Sequence, residues 1–266
     1  MKAGHQIDSR LLGLWTLAVC VFVVAPFFAV VAVSLTPLDY ISLPHGAISL
    51  RWYRELLNRT VFLEAGEHSL LLAVEAAVTA LFLGTLAALA IVRYRFALRG
   101  TVLFTVSSPL FIPMVMGGLA ILMFFSMVGW TYEPFRLYAG HCALTVPYVV
   151  RVLTASLTGF DMNQELAARN LGANPVKAFL RVTLPQLGPG LIAGAIFAFI
   201  VSFDNVGLSL FLSGANYRTL PVELLAFVEA DNDPTSAALS VVMIVLSMAV
   251  VLVVERLVGL QRLMRA

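Results

Sequence analysis

Residues 165–185 read ELAARNLGANPVKAFLRVTLP, from Glu165 to Pro185. This polar segment lies between apolar runs and still carries the signals of built structure. Asp161 stands where a helix N-cap belongs, and Gln164, three residues on, completes a capping-box pattern. The predicted helix runs through Leu166, Ala167, Ala168 and Leu171 to Gly172. Asn174-Pro175 then reads as a second cap with proline at the first helical position. A second short helix is predicted through Phe179 and Val182, ending before Pro185. The segment 161–185 is thus expected to be a helix–Gly–helix elbow. A structured, partly apolar elbow outside a bilayer needs a protein partner to bury against.

Working outward, the chain is 60% hydrophobic and 12% charged, with mean hydropathy +0.93. Soluble domains carry about a quarter charged residues. A membrane-spanning helix needs roughly 20 apolar residues. Six runs qualify, at about 11–34, 69–92, 101–128, 138–158, 188–212 and 236–254. The fourth contains His141, Pro147 and Arg151 and is expected to end near Arg151. The predicted fold class is therefore all-α: a polytopic membrane protein with six transmembrane helices, a helix–Gly–helix elbow outside the bilayer and one domain over 1–266.

Basic residues mark the cytoplasmic side of membrane proteins. With the N-terminus inside, Lys2, Arg10, Arg93, Arg95, Arg99, Arg151, Arg169, Lys177, Arg181, Arg256, Arg262 and Arg265 are cytoplasmic, 12 of the 17 basic residues. Asp8, Asp161, Glu165 and Glu255 share that side, and nine acids lie outside. Both termini and the elbow are then cytoplasmic. The net charge of +2 belongs to this topology and gives no reason to expect nucleic acid. The first apolar run exceeds the 7–15 residues of a signal-peptide core, so it is expected to be a retained helix. Cys20 and Cys142 fall inside spans and are expected to be free, buried thiols.

Ser49–Leu57 has the pattern of an amphipathic helix, with Trp52 and Tyr53 suited to the membrane interface. The cluster Glu223, Glu229, Asp231 and Asp233 reads as a solvated outer face. Ala80, Gly84 and Ala88 recur at every fourth position, as do Gly190, Gly194 and Ala198; such spacing lets helix backbones approach closely in lipid. Pro109, Pro113 and Pro147 predict kinks or breaks, tolerated only where neighbours or a cavity satisfy the freed backbone.

Glu75 and Asp204 are acids inside spans. A charge there costs about 2.5–3.5 kcal/mol on insertion scales and normally faces a cavity or a partner. Ser202 and Asn205 flank Asp204, so the middle of the fifth span is polar. Asp204, Asn205, Ser202 and Glu75 are the candidate path-lining residues. His141, a lone histidine, is expected to pack and hydrogen-bond. The chain has no G-x-x-x-x-G-K-[ST] phosphate loop, no H-E-x-x-H and no clustered metal spacing. Neither a cofactor nor catalysis is expected of it, and any ATP hydrolysis would belong to a separate subunit.

The motifs together resemble the inner-membrane permease subunits of binding-protein-dependent ABC importers, closest to the spermidine/putrescine permease group. The EAA…G loop of that class corresponds to Glu165-Leu166-Ala167-Ala168-Arg169-Asn170-Leu171-Gly172, followed by Leu184-Pro185. Ser108-Pro109-Leu110 through Pro113 to Gly117-Gly118 is similar to the group's third helix. Gly140-His141 through Pro147-Tyr148-Val149-Val150 resembles the start of its fourth. Ser202-Phe203-Asp204-Asn205 resembles the fifth-helix signature, and Arg218-Thr219-Leu220-Pro221 the loop after it. The likeness covers roughly residues 65–260. One departure stands out: the class places its glutamate six residues before the glycine, where this chain has Leu166. Glu165 is one step earlier, a turn of about 100° on a helix.

The resemblance implies an importer in a bacterial inner membrane. Two ATP-binding subunits would engage elbows through Glu165, Leu166, Ala167, Ala168, Leu171 and Gly172. A second permease, similar or identical, would complete the path, and an external binding protein would deliver a small polar solute such as a polyamine. Two other classes remain open on sequence. A secondary transporter would need no elbow, and no internal repeat of the kind such folds show is evident. A membrane scaffold would not explain the intramembrane acids.

Overall fold

Apolar runs of this length satisfy their backbone in lipid by forming helices. The computed structural model describes residues 9–231 and 233–258, and among them there is no strand. In chain order the helices are α1 (Ser9–Ser34), α2 (Arg51–Asn58), α3 (Thr60–Arg93), α4 (Arg99–Ser107), α5 (Met114–Val128), α6 (Glu133–Thr158), α7 (Met162–Asn170), α8 (Pro175–Ala178), α9 (Leu184–Phe203), α10 (Ser209–Leu212), α11 (Leu220–Ala230) and α12 (Thr235–Val258). A 3-10 turn, Ser108–Phe111, follows α4, and a π turn, Phe179–Thr183, joins α8 to α9. The expectations that rest on Lys2, Asp8, Arg262 and Arg265 lie outside the described residues.

Among the described residues four stretches are long and apolar enough to cross a membrane: Leu11–Ser34, Thr60–Arg93, Pro175–Phe203 and Thr235–Val253. The number reaches six when Arg99–Phe111 with Met114–Val128, and Glu133–Thr158 with Met162–Asn170, each count as one bent span. Two expected spans are corrected, and the third carries the break that Pro109 and Pro113 predict. The third, 101–128, is two helices meeting at 106°. Its break has a local cause: Ile112 precedes Pro113 and is extended at ψ 129°, as the residue before a proline prefers. The fourth does not end near Arg151 but runs to Thr158. The hydroxyls of Ser156 and Thr158 donate to the carbonyls of Val152 and Thr154, so this polar stretch needs no outside partner to remain helical.

The fifth, 188–212, starts earlier and stops at Phe203, because Pro175–Phe203 is one continuous helical stretch. Pro185 therefore does not stop the elbow's second helix. Proline lacks an N–H, and its ring clashes with the carbonyl four residues back. The wide π turn immediately before it relieves both demands, and Pro185 sits in the first turn of α9.

Contacts divide the chain into two compact units, residues 1–60 with 224–245 and residues 61–223 with 246–266. In the first, the two aromatic residues of α2 make hydrogen bonds within the unit. Trp52 is buried and its indole donates to the Thr36 carbonyl at 2.9 Å, while Tyr53 pairs with the Ser34 hydroxyl at 2.7 Å. A buried indole N–H finds its acceptor inside the unit. The outer acids are not merely solvated. Asp233 accepts from the Thr235 amide at the start of α12 and faces Arg59 at 3.5 Å. Cys20 is free but exposed on α1, and Cys142 is free and half-buried.

In the second unit α6 packs against both α3 and α9. A Cβ on Gly84 would stand 2.7 Å from Val149 Cγ1, and one on Gly190 would stand 2.4 Å from Ser156 Oγ. Gly194 faces the same Val149 at 3.5 Å. Ala80, Ala88 and Ala198 are fully buried. The two small-residue rows therefore do what their spacing predicts: they bring backbones close where dispersion, rather than hydrophobic burial, drives packing. Leu72, Leu137, Leu144, Leu208 and Leu212 form the apolar cluster that ties α10 to α3 and α6.

Candidate functional site

The elbow is built from local signals. Asp161 accepts from the Asn163 amide at 3.0 Å and caps α7. The Gln164 side chain, which the capping box would turn back on Asp161, bonds Gln186 instead. At the other end Gly172 has φ +91°. Its amide donates to Arg169 at 3.0 Å and the Ala173 amide to Ala168 at 3.1 Å. That pair of bonds is the Schellman termination, which wants a left-handed residue at Gly172. Asn174 then accepts from the Lys177 amide at 2.8 Å, with Pro175 at the first position of α8.

The elbow has two faces. Leu171 is 89% exposed, and Leu166, Ala167, Val176 and Leu180 are exposed with it. Ala168 is half-buried. Glu165 lies on the other face, 6% exposed, directed back at the chain's own helices. Arg93, the last residue of α3, reaches it with both terminal guanidinium nitrogens, Nη2 to Oε2 at 2.5 Å and Nη1 to Oε1 at 3.3 Å. Thr183, in the π turn, also donates to Oε2, and Arg93 Nη2 contacts the Thr183 hydroxyl at 3.2 Å. The guanidinium stacks over Phe179 at 5.4 Å. Burial works against the Glu165 charge. The hydrogen bonds from Thr183 and Arg93 and the charges of Arg93 and Arg169 outweigh it and hold the carboxyl below its ordinary value.

The polar residues expected along the path separate into distinct places. Asp204 is not inside a helix: α9 ends at Phe203, Asp204 is its C-cap, and its side chain is exposed. Ser202, in the last turn of α9, and Asn205, just after Asp204, are both buried. Asn205 Oδ1 accepts from the Leu208 amide at 2.9 Å, which stitches the 204–208 break to α10, and Nδ2 contacts Met114 Sδ at 3.3 Å. Ser202 bonds His141 Nδ1 at 2.7 Å, and Ser209 bonds His141 Nε2 at 2.9 Å. The fully buried His141 thus bridges α9 and α10, the hydrogen-bonding role its isolation suggests. Its place as a hub for two helices has one local sign in the sequence, the neighbouring Gly140. A Cβ there would meet Leu212 Cδ1 at 2.4 Å.

Glu75 belongs to neither group. It lines an open pocket of about 710 Å³ with Thr79, Tyr132, Phe135, Tyr138 and Tyr217. The sequence alone singles out none of these tyrosines, because the start of α6 and the loops before α6 and α11 supply them from distant stretches.

The family model described as binding-protein-dependent transport system inner membrane component matches residues 80–262. The spermidine/putrescine transport system permease protein PotC of Haemophilus influenzae is 35% identical over 217 residues, 80% of this chain and 83% of that protein. The putrescine transport system permease protein PotI of Escherichia coli is 33% identical over 226 residues, 82% of this chain and 80% of that protein. Among solved structures, a chain from a bacterial ABC transporter involved in the import of the acidic polysaccharide alginate shares the fold. Its TM-score is 0.66 at 16% identity, covering 97% of this chain and 99% of that one.

Proposed function

We infer, from the premise that this chain belongs to the family of binding-protein-dependent transport system inner membrane components, that it works as one permease domain over 1–266 and forms half of the path for a small polyamine-like solute. It is a multi-pass inner-membrane permease of a type I ABC importer. A second permease, similar or identical, forms the other half, and an external binding protein delivers the solute. Two ATP-binding subunits dock on the elbows. The polyamine reading is supported by relatives named for spermidine and putrescine. The excess of basic residues in the segments assigned to the elbow's side supports cytoplasmic termini.

The observation that carries this reading is the two-faced elbow. An exposed apolar row, Leu166, Leu171, Val176 and Leu180, suits burial against another protein. Behind it, the Arg93–Glu165–Thr183 cluster pins α7 to the end of α3 and to the π turn that leads into α9. A push on the face is therefore passed to two spanning helices as rigid-body displacement, the hinge or shear motion by which packed helices switch. Closure of the ATPase pair on ATP would draw the two elbows together and turn the path outward. Hydrolysis would let it return. Six spans, with the α4–α5 pair as a broken one, complete the reading.

Co-purification tests it. The tagged wild-type chain is expected to bring down its ATP-binding subunit, and the Leu171→Asp variant, folded and inserted, is expected to lose it. Equal recovery by both would show that the exposed row is not the docking face.

A further inference from the structure

We propose that Glu75 and the rings around it form a subsite for an ammonium group of the solute, an inference that rests on the amine reading above and names its recognition chemistry. The pocket's volume of about 710 Å³ lies in the range of small-molecule sites. Glu75 projects from α3 about 22 Å along the helix from Thr60, near its middle. Among the described residues no arginine, lysine or histidine pairs with it. An acid in a spanning helix with no protein counter-ion needs a cation or water from the path.

The rest of the lining suits a cation rather than an anion. Tyr132, Phe135, Tyr138 and Tyr217 line the pocket, and aromatic faces attract ammonium groups through the ring quadrupole. Two of them are held in place. The Tyr138 hydroxyl is bonded to Thr79 Oγ1 at 2.8 Å, and the Tyr217 ring stacks on His68 with centroids 3.8 Å apart. Tyr132 is 65% exposed and Phe135 39%, so these rings are not filling a core. The Tyr217 phenol, in the loop before α11, is pushed up by burial first and then by Glu75, Tyr132 and Glu67.

The experiment is uptake of radiolabelled putrescine by the full complex in proteoliposomes, with binding-protein-stimulated ATPase activity and complex yield measured in parallel. Glu75→Gln keeps the size of the side chain and is expected to lower the maximal uptake rate at least about tenfold, with yield and stimulated ATPase retained. Glu75→Asp should recover part of the rate. Tyr138→Phe, which keeps the ring face, should transport faster than Tyr138→Leu. Normal uptake by Glu75→Gln, or equal rates for the two Tyr138 variants, would overturn the subsite while leaving the amine reading intact. A wild-type complex that shows stimulated ATPase but takes up neither putrescine nor spermidine would overturn the amine reading and the ammonium subsite with it.

Discussion

Arg93 and Glu165 stand 72 residues apart in sequence and meet in a two-pronged ion pair, with Nη2 to Oε2 at 2.5 Å, at the junction of α3 and the elbow. The Glu165 side chain is 8% exposed and the Arg93 side chain 19%. Removing one partner of a buried pair leaves an uncompensated charge and typically costs about 3–5 kcal/mol. Glu165→Ala is therefore expected to lower the melting temperature of the purified chain, with a smaller loss for Glu165→Gln. A thermal unfolding scan in detergent measures both. No loss for Glu165→Ala would show that the pair does not brace the elbow.

The same carboxyl gives a pH prediction. Its folded-state pKa lies below the ordinary value of 4.5. A depressed carboxyl contributes stability that is fully present above its unfolded value and is lost as pH falls through the folded one. The wild-type chain should lose stability on acidification below about pH 4.5 more steeply than Glu165→Gln. Parallel slopes for the two proteins would contradict the arrangement.

How the elbow divides between legible and illegible features has a physical reason. The Asp161 cap, the Gly172 corner and the Asn174-Pro175 start are all readable, because each is settled by residues within five positions of itself. The direction of Glu165 is not. Its neighbours in sequence are Leu166 and Ala167, while its partner lies at the far end of another helix. Pro185 misleads for a related reason: the rule that proline ends a helix assumes an α ladder, and the π turn before it changes the ladder. The burial of Trp52 is not legible, because nothing nearby in sequence reveals that Thr36 offers its indole an acceptor. The small-residue rows are legible in full, since every-fourth spacing is a property of one helix alone. The path residues are the least legible. Ser202, Asp204 and Asn205 are close in sequence, yet the helix ends among them and turns Asp204 away from the other two.

At Gly172 nothing lies within 4 Å of the point a Cβ would occupy, so space is not the constraint. The constraint is φ +91°, which costs a side-chain-bearing residue about 1–2 kcal/mol. Gly172→Val is expected to insert normally but to uncouple ATP hydrolysis from uptake, and Gly172→Asn to be milder. The ratio of solute moved to ATP hydrolysed in the assembled complex reads this out. An unchanged ratio for Gly172→Val would remove the corner from the coupling mechanism.

His141 holds Ser202 and Ser209 across the α9–α10 break. His141→Ala leaves both hydroxyls buried without that partner, at a cost of about 1–3 kcal/mol each. The expected outcome is a lower yield of assembled complex, partly recovered by His141→Gln. Asp204 should behave oppositely. Its side chain is exposed, so Asp204→Asn should leave the yield unchanged while lowering uptake. Normal uptake by that variant would take Asp204 out of the path.

If ATP drives solute through this chain by way of the elbow, the most direct test is putrescine accumulation in proteoliposomes. These hold this permease, its partner permease and the ATP-binding subunits, oriented with the ATP-binding subunits facing the lumen, and the binding protein is added outside. Accumulation is expected to require internal ATP and to disappear in Leu171→Asp, although that variant inserts normally. Accumulation that proceeds without ATP, or that persists undiminished in Leu171→Asp, would contradict coupling through the elbow.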